Sequence, residues 1–445
     1  MTTTNAPTGQ GAVEHEQPAS AARHEQPASA AERQFWVAEQ VAPRSAGQRV
    51  VGEIRVDGPV RVTALIAALE AVWRRHEGLR TAYVARGRQV VRQALEDAPF
   101  PAPLVLPAGA TFEEAVDALL GPDAFDIAEG RVVRTAVAPD GGGATVFVAA
   151  HHIAFDGLSH EVVAADLARA YGLAHEAAGA TADPPVSLPV RRRAEPVPLD
   201  PGYRAGLTAY WRDALSGVPD LPGGATEPSQ RQLAAAPLAE AVALHAAEVA
   251  EGLRERARRA ACSPYALVLT AYGRALAELT GADDFCVGTP VATRTASQED
   301  EVGCVLNTLP VRMGGLAGPD DEAVAAVWAA VVDAVSHVDL PCDEIIAACR
   351  TTRTRRLPLY QALFAFQSWQ RVDHPAGPAR LRTVPVRPVG GQAEIQFQVC
   401  ERPDGTLEAT AQAPLVSDWA GRLGELQDSF RRHLDRLAAD RPLLS

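Results

Sequence analysis

The sequence predicts a mixed α/β (α+β) fold built in two halves. Three observations carry that prediction. Apolar residues recur at helical spacing, and in short β-prone runs, on both sides of a proline- and arginine-rich stretch at 181–203. These segments do not follow the strict βαβ rhythm of a dinucleotide-binding sheet. No glycine-rich phosphate loop appears in the chain. With 445 residues and 47% hydrophobic content, there is enough apolar material for two sizeable cores.

Taken in order, the chain starts with a tandem nonamer, HEQPASAAR at 15–23 and HEQPASAAE at 24–32, which has little apolar content to bury. A disordered leader is therefore expected over 1–28, followed by an N-terminal subdomain over 29–180, with bulky apolar residues first appearing at Phe35 and Trp36. Val62, Leu65, Ile66, Leu69, Val72, Trp73 and His76 recur at helical spacing, and Gly78 supplies a stop. Residues 132–138 and 144–150 are β-prone runs joined by Pro139-Asp140-Gly141-Gly142-Gly143, a turn signal for an antiparallel pair. The second run delivers His151. After Gly157 the pattern becomes helical again through Leu158, Val162, Val163, Leu167, Ala170 and Tyr171, so the adjacent histidines fall on a strand-to-helix junction.

Prolines 184, 185, 189, 196, 198 and 201, together with Arg191, Arg192 and Arg193, make 181–203 an extended connector. The second subdomain is then 204–445. Within it, Tyr265, Val268, Leu269, Tyr272 and Leu276 mark a helix, residues 285–291 a strand, and Val324, Val327, Trp328, Val331 and Val335 another helix. Trp419, Leu423, Leu426, Phe430, Leu434 and Leu437 close the chain helically.

A formal net charge of -13 argues against general nucleic-acid binding, which needs clustered cationic surface. The six cysteines form no CxxC pair and no regular framework, so reduced thiols in a cytoplasmic protein are expected. The N-terminus has neither a basic segment nor an apolar signal core, and no segment approaches the ~18 apolar residues of a membrane span. Neither export nor membrane insertion is expected.

The chemistry concentrates in His151-His152-Ile153-Ala154-Phe155-Asp156-Gly157. Three readings compete on residues alone. His152, Asp156 and His160 at i, i+4 and i+8 would share one face of a continuous helix and resemble a zinc site. Against this, a strand runs up to His151, Gly157 interrupts the helix, and no acidic base accompanies the set as in HExxH, so no metal is expected. A second reading makes these core histidines and a turn aspartate. In the third, one histidine lines a cleft as a general base, the aspartate orients a ring or fixes the loop, and Gly157 leaves room for a substrate. No GxSxG and no catalytic cysteine signature offers a covalent nucleophile, which favours direct attack by an acceptor.

Written as His-His-x-x-x-Asp-Gly, the heptapeptide resembles the signature of nonribosomal peptide synthetase condensation domains, in the chloramphenicol acetyltransferase superfamily. Arg75-His76-Glu77-Gly78-Leu79-Arg80-Thr81-Ala82-Tyr83 resembles that family's RHExLRTxF, and residues 29–36 its first motif. The runs 288–294 (GTPVATR) and 302–308 (VGCVLNT) resemble GxPxxxR and IGxFVNT, and 337–346 with Pro358-Leu359-Tyr360-Gln361 echoes the sixth motif. Three features depart from the pattern. YxDxAxW is not recognisable around 188–210, the sixth motif's Phe-Glu is Cys342-Asp343, and Gln367-Ser368 stands where many members carry asparagine.

The resemblance implies two chloramphenicol-acetyltransferase-like subdomains in a V-shaped pseudo-dimer with a central channel. His152 would be the catalytic base or positioning group and His151 mainly structural, while Asp156 would pair with Arg294 to hold the loop. Gly157 would flank the channel, and Gln367 and Ser368 would shape it. The implied activity is transfer of an acyl group from a carrier-protein thioester to an amine or hydroxyl, giving an amide or ester. No cofactor is bound in this scheme; an acyl or peptidyl carrier protein presents its phosphopantetheine arm, and a small amine or alcohol accepts. No carrier or adenylation domain is identified in the 445 residues, so action in trans is expected. Arg191, Arg192, Arg193, Arg350, Arg353, Arg355 and Arg356 are candidate carrier-docking residues. An O-acyltransferase of the polyketide-lipid type and a non-catalytic recruitment module are the rival readings. The second usually lacks the second histidine or the glycine, and this chain has both.

Overall fold

The computed structural model describes residues 25–177, 186–349, 355–367 and 373–439. The first nonamer copy, the start of the connector, Arg350, Arg353 and Ser368 lie outside them.

Order is already established within the second nonamer copy, earlier than its composition suggests. Strand β1 (Glu25–Pro27) is followed by helix α1 (Ala30–Val41), whose start is a capping box. The Glu32 backbone N–H donates to Ser29 Oγ at 3.2 Å, and the Glu32 carboxylate accepts from the Ser29 backbone N–H at 2.6 Å. Glu32 stands where the first copy has Arg23, so the two copies do not carry the same capping information. Next come β2 (Arg49–Asp57), α2 (Val62–Arg75), β3 (Thr81–Arg86), β4 (Gln89–Ala94), β5 (Leu104–Val105) and α3 (Phe112–Leu119). The hairpin β6 (Val133–Pro139) and β7 (Gly143–His151) leads into α4 (Gly157–Ala177). Gly157 is the first residue of this helix, which therefore does not run back through His152, as the sequence pattern anticipates.

Helix α5 (Pro201–Ala214) begins inside the expected connector, because Asp200 Oδ1 accepts from the Tyr203 N–H and Pro201 suits the first turn. Then follow α6 (Gln230–Ala235), β8 (Leu238–His245), α7 (Ala247–Arg259), α8 (Pro264–Thr280), β9 (Phe285–Ala292), β10 (Leu306–Met313), α9 (Asp320–Ser336) and α10 (Cys342–Cys349). Strands β11 (Tyr360–Gln367), β12 (His374–Ala376), β13 (Ala379–Pro388), β14 (Ile395–Glu401) and β15 (Leu407–Pro414) precede α11 (Leu423–Ala438). The closing helical pattern breaks at Arg422, with Trp419 in a separate 3-10 turn.

Two six-stranded sheets organise the molecule, ordered β12-β13-β2-β7-β6-β5 and β10-β9-β11-β14-β15-β8. Each has its own core. Leu65, Leu69, Val72 and Trp73 of α2 pack with Val163 and Leu167 of α4 on the first sheet; Tyr272, Phe364, Phe397 and Phe430 anchor the second. Burying side chains of this size contributes about 1.5–3 kcal/mol each.

The halves are not contiguous in sequence. Strands β12 and β13 follow the second half's first strands yet complete the first sheet, with β13 antiparallel to β2 in the register Leu381↔Val56. The expected 204–445 unit therefore lends two strands to its neighbour. The chain returns through Gly390 and Gly391, where backbone meets backbone: a Cβ on Gly390 would lie 2.2 Å from the Gly47 nitrogen, and one on Gly47 2.7 Å from the Gly391 oxygen. No described helix is long and apolar enough to cross a membrane.

Candidate active site

Strand β7 runs between β2 and β6, buried over most of its length, and carries the first histidine at its end, with Arg49 paired to His151 across the ladder. His151 is fully buried. Its Nδ1 accepts the Ile153 N–H at 3.0 Å, which leaves the proton on Nε2 to be donated to Glu39 Oε2 at 3.2 Å. Burial pushes its pKa down to about 4 despite that carboxylate, so the ring is neutral near pH 7. Burial opposes ionisation of Glu39 as well, but hydrogen bonds from His151 and Arg49 bring its pKa to about 2.

The chain then turns through a single 3-10 turn, His152–Ala154, and His152 emerges on the other side. It lines a cavity of about 390 Å³ between the two halves, with Phe35 of α1 stacked on its ring at 4.5 Å and 17°. Burial lowers the His152 pKa and keeps the ring in its basic form. The backbone carbonyls of His152 and Phe155 favour a proton on the ring, although Nδ1 has no hydrogen-bond partner of good geometry among the described residues.

Asp156 occupies the N-cap position of α4. Its Oδ1 accepts from the Ser159 N–H and Oγ, both at 2.8 Å, and from Arg294 Nη2 at 2.7 Å, while Oδ2 accepts from the Val305 N–H at 3.0 Å. Arg294 also donates to the carbonyls of Gln298 and Glu301, and Ser159 Oγ exchanges hydrogen bonds with Gly303. The loop after β9 is thus tied to the start of α4 by a buried ion pair. Gly157 and Leu158, whose first-turn N–H groups lack intrahelical acceptors, face the cavity beside His152.

His152, Asp156 and His160 do not converge. His160 Nε2 lies 3.0 Å from the Glu53 carbonyl, packed so closely that a Cβ on Gly52 would strike its ring at 2.5 Å. No group of three or more His, Cys, Asp or Glu among the described residues is placed to hold a metal ion. Gln367 lines the cavity, and neither serine nor cysteine does among the described residues.

The candidate docking arginines among the described residues differ in their surroundings. Arg193 is buried against Glu32 and Glu301, with Tyr83 OH at 3.0 Å, and Tyr83 reaches the Ile153 carbonyl behind the histidines. Burial opposes the charge on Glu32, yet Arg193 and Arg92 draw its pKa down. Arg356 is likewise committed, to Glu394 at 2.7 Å. Arg191 and Arg192 are exposed and paired with Asp300 and Glu96, and Arg355 is exposed.

Sequence reasoning missed Phe35 and Glu39 as site residues. The signal was present in α1, where Glu32, Phe35 and Glu39 fall three to four positions apart and share a face.

Two sheet-and-helix lobes around a histidine-floored cavity, joined by a crossing strand, define the class of architecture. The chain belongs to the condensation-domain family: the family model described as "Condensation domain" matches residues 22–399. It is 30% identical over 360 residues to phosphinothricin tripeptide synthetase PhsC of Streptomyces viridochromogenes, covering 76% of this chain and 32% of that protein. To malpibaldin synthetase of Mortierella alpina it is 25% identical over 366 residues, covering 76% of this chain and 6% of that protein. The chain thus spans about a third or less of the length of these curated relatives. Among solved structures, the condensation domain of the monacolin K polyketide synthase MokA superposes with a TM-score of 0.76 at 21% identity, covering 94% of this chain and 98% of that one. The X-domain from teicoplanin biosynthesis gives 0.72 at 23%, covering 95% and 97%. These structural likenesses establish the two-lobed fold.

Proposed function

We propose that the protein is a condensation catalyst that acts in trans, moving an acyl group from a carrier-protein thioester to an amine or hydroxyl and forming an amide or ester in natural-product biosynthesis. The observation that carries this reading is His152: a neutral imidazole in an interlobe cavity with no serine or cysteine among its described lining residues. The acceptor attacks the thioester carbonyl directly. His152 takes its proton, and the C–S bond breaks as the C–N or C–O bond forms. The proton then passes to the departing thiolate, so no group stays on the enzyme. Such proton transfer contributes about 10²- to 10⁴-fold. First-turn N–H groups at Gly157 and Leu158 favour the negative charge that develops on the carbonyl oxygen.

A second cleft, about 830 Å³, shares Pro388, Gln398, Thr410 and Gln412 with the cavity wall and is edged by Arg55, Arg254, Arg382, Arg387 and Arg402. It offers the partner's phosphopantetheine arm a route whose rim sets these five arginines against Asp373, Glu401 and Glu408, with Arg254 and Arg402 paired to Glu401 and Glu408, and it is the region to test for carrier docking in place of the committed Arg193 and Arg356.

The likeness to the teicoplanin X-domain, also solved in complex with OxyB, favours a second reading: a binding module that recruits a partner enzyme without catalysis. Mass spectrometry of products from separately supplied acyl-carrier thioesters, with matched amine and alcohol acceptors, separates the two. His152→Ala should abolish product while leaving the melting temperature unchanged. Full turnover in that variant sinks the base assignment, and no turnover by wild type with any donor favours the binding module.

A further inference from the structure

The cavity has a chemical character that the reaction itself does not require. Eight glutamines line it, but no lysine, arginine or glutamate does among the described residues. Its one carboxylate, Asp156, is committed to Arg294 and to the N–H groups of Ser159 and Val305. A charged substituent entering this space would lose its hydration without gaining an opposite charge.

Several of the wall amides have partners within the protein. Gln412 donates to Glu240 at 2.7 Å, Gln396 accepts from the Gln392 N–H, and Gln398 donates to Cys400 Sγ at 3.1 Å. Gln48 differs. It sits at the end of the turn before β2, is only 5% exposed, and lines the same cavity as His152, yet its Oε1 is buried without a hydrogen-bond partner among the described residues. Folded proteins rarely leave such an acceptor unpaired unless something else supplies the donor. The oxygen has almost no accessible surface as placed, so a ligand meets the amide through Nε2, or through Oε1 once the amide makes a half-turn, and the site can complement either an acceptor or a donor.

We infer that the cavity selects an uncharged acyl group bearing an amide or hydroxyl, and that Gln48 is the residue that reads that group. The inference rests on the acyl-transfer reading for the identity of the ligand, but its test does not depend on turnover. Calorimetric titration of the full chain with three N-acetylcysteamine thioesters, N-acetylglycyl, pentanoyl and glycyl, measures it. N-acetylglycyl should bind roughly tenfold tighter than pentanoyl, the worth of about one net hydrogen bond, and the ammonium-bearing glycyl probe weakest. Gln48→Met, which keeps the volume, should erase the N-acetylglycyl preference with a melting temperature equal to or above wild type, since an unpaired buried oxygen is removed. Equal binding of the first two probes to wild type, a preference that survives in Gln48→Met, or no binding of any probe would each overturn the inference. A preserved preference in a protein that turns over no donor would instead sink the acyl-transfer reading and leave the selectivity standing.

Discussion

Asp156→Ala removes four hydrogen bonds at once and strands a guanidinium whose side chain is 6% exposed. Breaking a buried pair from one side costs about 3–5 kcal/mol, and loss of the helix cap falls within that figure. Arg294→Ala should cost less, about 2–3 kcal/mol, because the carboxylate keeps its donors from Ser159 and Val305. Once either partner is gone, removing the other relieves an uncompensated charge. The double variant should therefore lie about 2–3 kcal/mol short of the sum of the singles. Urea titration followed by tryptophan fluorescence gives the three values, and carrier-thioester turnover measured on the same samples should fall with stability. Additivity within about 0.5 kcal/mol would refute the coupling. An Asp156→Ala protein as stable as wild type but inactive would move Asp156 from support into the chemistry.

Acid should destabilise the fold in a defined window. The unfolded chain protonates its histidine near 6.5 and folded His151 only near 4, so stability is complete above the window and falls by roughly 3 kcal/mol as pH drops through it. Glu39, held near 2 against an ordinary 4.5, adds to the loss below that value; a melting temperature that stays flat from neutrality to pH 4 would contradict the His151 assignment, and no steeper fall from pH 4 to pH 2 would contradict that of Glu39. Gly390→Ala forces a Cβ to 2.2 Å from the Gly47 nitrogen and 2.3 Å from the Ala46 carbonyl carbon, both backbone atoms that cannot swing aside. A loss of about 3 kcal/mol in denaturant titration is expected, and wild-type stability would show that the two segments do not meet.

Local patterns were legible where one face of an element is buried. The period of 62–76 anticipated α2, the Pro139-to-Gly143 turn anticipated the β6–β7 hairpin, and the histidines fall at its end. What escaped depends on partners far away in sequence. Three consecutive arginines suggest solvated charge, yet Arg193 is buried because Glu32 and Glu301 reach it from segments more than a hundred residues distant. The nonamer composition suggested a leader, but the exchange of Arg23 for Glu32 supplies the capping box and the buried carboxylate that hold the second copy in place. His160 shows the reverse error available to spacing alone: it matches a metal-ligand interval, yet its ring packs against Gly52 and Phe155 with Nε2 at the Glu53 carbonyl.

The crossing strand has a consequence for how the molecule is made. Arg380 pairs with Asp57 across about 320 residues, so during synthesis β2 waits with one edge bare until most of the chain has emerged. An isolated fragment ending at the connector would keep that edge permanently open beside Val50, Ile54 and Val56, a template for pairing between copies. Any shortened form that keeps the first sheet intact must extend at least through Pro388.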